Sequence, residues 1–230
     1  MKTADIIAGN PYLLLMLEHL GINMEVREKT VTQICDENSV GTELFLTIAN
    51  LFNGFRPAHT PEYNYDDIQA IVRYLDNSHK YYLEEKYPQL RQYIEEFNKI
   101  NSQAEILMIS KFFDEYIKEV REHLNYEDDV VFPYVLNLNN RLKKNDSSDE
   151  PTVYSVTEYR EHHDDIEEKL TDLKTLLIKY MPQKNDQQIR RKLLLCLSEL
   201  EYDLNIHSQI EETLLIPMVE KMERISKTER

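Results

Sequence analysis

Three residues of this 230-residue chain recur at one offset: His79, His123 and Glu127 return as His163, His207 and Glu211, each 84 positions on. Their flanks recur with them. Glu127 to Val135 reads Glu-Asp-Asp-Val-Val-Phe-Pro-Tyr-Val, and Glu211 to Val219 reads Glu-Glu-Thr-Leu-Leu-Ile-Pro-Met-Val, with Pro133 and Pro217 in register. His123 with Glu127, and His207 with Glu211, stand at i and i+4, which puts each pair on one face of a helix about 6 Å apart along its axis. The lone His79 and His163 each lie 44 residues before their partner histidine, the length of one helix, a connection and most of a second helix. Each repeat is therefore expected to be a helical hairpin. Two such hairpins make an all-α, up-down four-helix bundle, an architecture that builds dinuclear sites from inward-projecting His and carboxylate side chains.

Composition agrees and excludes alternatives. Four glycines, 30% charged residues and 41% hydrophobic residues suit a helical protein rather than a turn-rich β fold. A formal charge of −15 repels phosphates and anionic lipid, so neither nucleic acid nor membrane is expected as a partner. No leader-like start or membrane-length apolar run is evident, and a cytoplasmic location is the expectation. Cys35 and Cys196 are too few for a disulfide framework and are not spaced as a metal motif; two reduced, buried thiols are expected.

The segment up to residue 55 reads as a small module of several short helices. Its punctuation is Asn10-Pro11 before the apolar stretch Tyr12 to Leu20, then Gly21, a helix near Thr30 to Glu37, and Gly41 before a helix over Thr42 to Asn53. Residues 56–65, with two prolines and no helical period, read as a linker. The bundle occupies 66–230, with helices expected near 66–97, 103–138, 153–181 and 186–224. Pro88, Pro133 and Pro217 should bend or interrupt three of them. Residues 137–151 are polar and turn-rich, the expected connection between hairpins.

In the third helix His163 is chosen over His162. It alone keeps the repeat register, and from it Ile166, Leu170, Leu173 and Leu177 form a heptad-like apolar stripe. One histidine on an apolar stripe is more often a satisfied core residue than a ligand. Four in register with two glutamates reverse that balance, because two carboxylates and four imidazoles in an apolar core are costly without a cation. The candidate metal ligands are thus His79, His123, Glu127, His163, His207 and Glu211. Imidazole and carboxylate without thiolate suit iron, with manganese and zinc sharing the preference, and argue against an iron–sulfur cluster. If both glutamates bridge, each of two ions has two histidines and two carboxylate oxygens. Six-coordinate iron would keep two positions for an oxo group, O2, peroxide or nitric oxide.

At this point the chain resembles the hemerythrin-like (HHE cation-binding) family, and within it the RIC (repair of iron centres) type of iron–sulfur cluster repair protein. The resemblance rests on the two His-x-x-x-Glu helices running into Val-Val-Phe-Pro and Leu-Leu-Ile-Pro, and on Glu161-His162-His163-Asp164. It also rests on a first module similar to the short N-terminal domain of that type: Asp5-Ile6-Ile7, Asn10-Pro11, Leu17-Glu18-His19-Leu20-Gly21-Ile22, Thr30-Val31 and Ile34-Cys35. It implies a non-haem di-iron centre with oxo and carboxylate bridges, and a role in protecting or restoring iron–sulfur proteins after nitric oxide or oxidative damage. Two departures stand out. Gly21-Ile22-Asn23-Met24 is followed by Glu25-Val26-Arg27-Glu28 where the family usually has Cys-Cys-Gly-Gly. Ile100-Asn101-Ser102-Gln103 fills the region where such bundles tend to offer a further histidine.

Tyr116 and Tyr82 fall near the ligand faces of their helices, where a phenol could donate a hydrogen bond, but with 15 tyrosines in the chain a packing role weighs more. His19 and His59 read as core or surface residues outside the repeat. Three functions compete: a di-iron stress and repair protein whose partners include iron–sulfur proteins, a reversible O2 or nitric oxide sensor or store, and a metal-free helical interaction module. No nucleophilic triad or phosphate loop points to hydrolysis or phosphoryl transfer. Catalytic turnover is neither assigned nor excluded, and subunit number stays open, a dimer included.

Overall fold

The computed structural model describes residues 1–57, 64–101, 104–144, 155–161, 166–180 and 185–228. These residues are all-α: a set of short helices is followed by four long helical stretches, as in a hemerythrin-like helical bundle, with no strand among them. The short helices are α1 (Thr3–Gly9), α2 (Leu13–His19), α3 (Val31–Asn38) and α4 (Thr42–Leu51). α3 starts on a capping box: Thr30 Oγ1 accepts from the Gln33 amide and Gln33 Oε1 accepts from the Thr30 amide at 2.9 Å. α2 closes on Gly21 at φ +71, and the Ile22 amide reaches back to the Leu17 carbonyl at 2.7 Å. This left-handed stop suits glycine.

The first long stretch is α5 (Tyr65–Tyr81), a π turn (Tyr82–Lys86) and α6 (Tyr87–Asn101). The second is α7 (Ala104–Tyr126), a π turn (Glu127–Val131) and α8 (Phe132–Lys144). The third holds α9 (Val156–Glu161), α10 (Ile166–Thr175) and a π turn (Leu176–Tyr180). The fourth is α11 (Gln187–Ile210), a π turn (Glu211–Leu215) and α12 (Ile216–Thr228).

The expected bend or interruption at the prolines takes the form of a π turn in each α-helix. Pro88, Pro133 and Pro217 each stand six residues after the first residue of a π turn, and the helix continues through them. Proline cannot donate to the carbonyl four residues back and its ring crowds that carbonyl. A widened turn just before it relieves the conflict, with Tyr87 and Ile216 donating five residues back to Tyr82 and Glu211. Pro182 keeps the same offset from the Leu176 π turn but lies outside the described residues.

By its contacts the chain forms two compact units. One comprises Met1–Ser78, Asp128–Glu161 and Ile206–Arg230. Within it the short helices tie to α5: Asn77 Nδ2 donates to the His19 carbonyl at 2.9 Å, and Arg73 Nη2 to the Asn38 carbonyl at 3.3 Å. Gly41 abuts Asp67, whose Oδ1 would lie 2.4 Å from an added Cβ, so a larger residue there would have to push the Asp67 carboxylate aside. Burial raises the Asp67 carboxyl above its ordinary value. At the other end of this unit Glu223 Oε1 of α12 accepts from Tyr134 Oη at 2.7 Å and from the Val156 amide at 2.8 Å, which anchors the start of α9.

The second unit comprises His79–Glu127 and His162–Asn205. Its apolar interior includes Leu90, Ile94, Phe97, Phe113, Val120, Leu193, Leu197 and Leu200, together with Leu170, Leu173 and Leu177 of the stripe expected after His163. Buried Lys86 is neutralised by Glu199 at 2.6 Å, and buried Asp186 accepts from Asn101 at 3.0 Å and Arg190 at 2.7 Å. Tyr116 packs edge-on against Tyr87, its ring centroid 6.0 Å away, and near Phe113. Both cysteines are free and buried.

Candidate metal centre

The helical spacing brings His123 and Glu127 together on one face, with His123 Nε2 3.3 Å from Glu127 Oε1. His79, from α5, completes the group: its Nε2 lies 3.2 Å from Glu127 Oε2. One carboxylate thus turns each of its oxygens to a different imidazole. Two donors about 2.1 Å from one ion, at the roughly 90–110° angles of octahedral or tetrahedral coordination, lie about 3.0–3.4 Å apart. Both contacts fall in that range, which is the spacing of neighbouring ligands.

In the second repeat His207 Nε2 stands 3.5 Å from Glu211 Oε1. The other ring nitrogen fixes the tautomer. His207 Nδ1 is 2.8 Å from Ser78 Oγ, while Ser78 gives its single hydroxyl hydrogen to the Leu75 carbonyl at 2.7 Å. Ser78 Oγ must therefore accept from His207 Nδ1–H, which leaves a lone pair on Nε2 in the neutral ring, the form that binds a metal. Glu211 Oε1 also accepts a hydrogen bond from buried Tyr159 of α9.

His79 and Glu127 are buried in the second unit, and His207 and Glu211 are buried in the first. His163, chosen from the repeat, lies outside the described residues, as do His162 and His59. His19 is buried in the first unit with its ring edge-on to Tyr74, centroids 5.1 Å apart. The sequence reading missed Ser78 and Tyr159. Ser78 had no signal beyond adjacency to His79, and Tyr159 none beyond standing four residues before His163 in the sequence.

Each glutamate is also the first residue of a π turn, a feature that recurs at functional sites. The donors are nitrogen and oxygen only, two carboxylates are buried at 0% and 1% exposure, and a cation offsets that cost. The residues present fit a bound metal ion.

Residues 70–181 match the hemerythrin HHE cation binding domain family. The HHE match takes in His79, His123, Glu127 and His163 and ends before His207 and Glu211. No curated protein matches the chain. Among the described residues no helix is long and apolar enough to cross a membrane.

Proposed function

We propose that this HHE protein is a non-haem di-iron protein of the cytoplasm that binds nitric oxide, O2 or peroxide and serves the response to nitrosative and oxidative stress by restoring iron–sulfur centres. The observation that carries the two-metal reading is Glu127, whose two oxygens face two different imidazoles at 3.2 and 3.3 Å, the posture of a bridging carboxylate. Its counterpart Glu211, equivalent by the repeat, is the second bridge, and His79, His123, His163 and His207 are the nitrogen ligands. Iron bound there supplies open coordination positions and a change of oxidation state, which this donor set supports in iron or manganese.

The chain's own residues prepare the site. Ser78 holds the His207 ring with Nε2 toward Glu211, and Tyr159 holds Glu211. Leu124, Val131, Leu204 and Leu214, neighbours of the ligands along their helices, are buried and keep bulk water from these groups. The stress and repair role draws on the likeness of the first module to that of the repair proteins.

Metal content per chain, with an ultraviolet–visible spectrum, on protein grown with iron and purified without chelator tests the reading. Two irons with oxo-to-iron charge-transfer bands are expected. Exposure to nitric oxide and to O2 then distinguishes the reversible sensor, which would give a stable oxygenated spectrum, from the stress protein. No transition metal, even after anaerobic reconstitution with ferrous iron, would sink the di-iron reading and leave the helical interaction module.

A further inference from the structure

The repeat makes Glu127 and Glu211 equivalent by position, yet their surroundings differ. Both oxygens of Glu127 face imidazole nitrogens. Glu211 Oε1 faces His207 and also takes a hydrogen bond from Tyr159. The residue 84 positions before Tyr159 is Leu75, which carries no hydroxyl, so the repeat does not duplicate this donor at the equivalent position. We infer that Tyr159 is a positioning residue that orients Glu211 and thereby makes the two ion positions unequal. The inference rests on the two-metal reading above.

Tyr159 is 2% exposed and Glu211 1%, so the hydrogen bond is shielded from competing water. A carboxylate oxygen has two lone-pair directions. With the phenol hydrogen on one, the other remains for an ion shared with His207, and the side chain keeps one rotamer before the ion arrives. Tyr159 is itself held from behind. The first amide of α9, Val156, is fixed by Glu223 Oε1, which Tyr134 also engages. The support thus runs from Glu223 through α9 to Tyr159 and then to Glu211, all within the first compact unit. Loss of an outer-shell donor of this kind costs about 10–100-fold in metal affinity.

The test is an anaerobic titration of the metal-free full-length chain with cobaltous ion, read by its visible absorption and by chelator competition. It compares wild type, Tyr159→Phe and Tyr87→Phe. The last removes a buried hydroxyl that lies 3.4 Å from Tyr116 Oη, in the second unit. Wild type is expected to take two ions. Tyr159→Phe should weaken the ion that would share Glu211 Oε1 with His207 about 10–100-fold and the other ion distinctly less, with Tyr87→Phe unchanged. Two ions at wild-type affinities in Tyr159→Phe, or equal weakening of both, would overturn the inference while leaving the two-metal reading standing. No cobalt bound by wild type would overturn that reading first, and this inference with it.

Discussion

Ser78 Oγ accepts from His207 Nδ1 at 2.8 Å because its own hydrogen is committed to the Leu75 carbonyl at 2.7 Å. Three groups from two helices thereby decide which nitrogen of His207 is left for a ligand. Ser78→Ala keeps the β-carbon and removes the acceptor, so the ring is free to turn or change tautomer. The variant should fold with an unchanged circular dichroism spectrum and lose about 10–100-fold in affinity for a divalent ion, measured by chelator competition. Unchanged affinity would show that His207 is not set by Ser78.

Glu127 faces two imidazoles, so its loss affects both at once. At an ion concentration about 1,000-fold above the dissociation constant, binding should stabilise the fold by about 4 kcal/mol. For a chain of this size that is roughly 8–16 °C in melting temperature. Calorimetry with and without chelator should show this difference in wild type. Glu127→Ala should lose most of it together with at least one bound ion, whereas an undiminished chelator effect and full metal content would refute the ligand assignment.

How much could be read beforehand depended on whether a residue's role shows in periodicity. The repeat located the helices: 66–97 and 186–224 were expected, and helical stretches over Tyr65–Asn101 and Gln187–Thr228 are found. The i, i+4 pairing foretold that His123 would meet Glu127 and His207 would meet Glu211. Ser78 and Tyr159 were not legible, because they act on a ligand through one hydrogen bond and have no equivalent residue at the 84-residue offset: the counterpart of Ser78 is His162, and that of Tyr159 is Leu75. The π turns were hidden as well. Proline announces trouble in a helix, but whether the backbone answers with a kink or a widened turn is decided by packing.

Both thiols are predicted to be inert. Burial pushes Cys35 and Cys196 up to about 11, so at pH 8 the thiolate fraction is on the order of a thousandth. A thiol-disulfide reagent should find no reactive group on the folded chain and two once denaturant is added. The folded pKa lies above the unfolded one. Both states are therefore protonated at neutral pH, and above about pH 8.5 the unfolded chain ionises first, so stability should fall as pH rises toward 11. Rapid reaction of either thiol in native protein would contradict the buried placement.

The capping box at Thr30 gives a stability test remote from the metal centre. Thr30→Ala leaves the Gln33 amide without its side-chain acceptor and should cost about 1 kcal/mol in urea unfolding, with metal content unaltered. A parallel loss of metal would mean that the first module and the cation-binding residues are linked.

A π turn adds one residue to a helical circuit, so the faces before and after it are out of step by about 100°. His123 and Val135 therefore belong to two differently phased rods that share one backbone, as do His207 and Val219. The proline that follows each glutamate thus marks where the register of one helical face gives way to another.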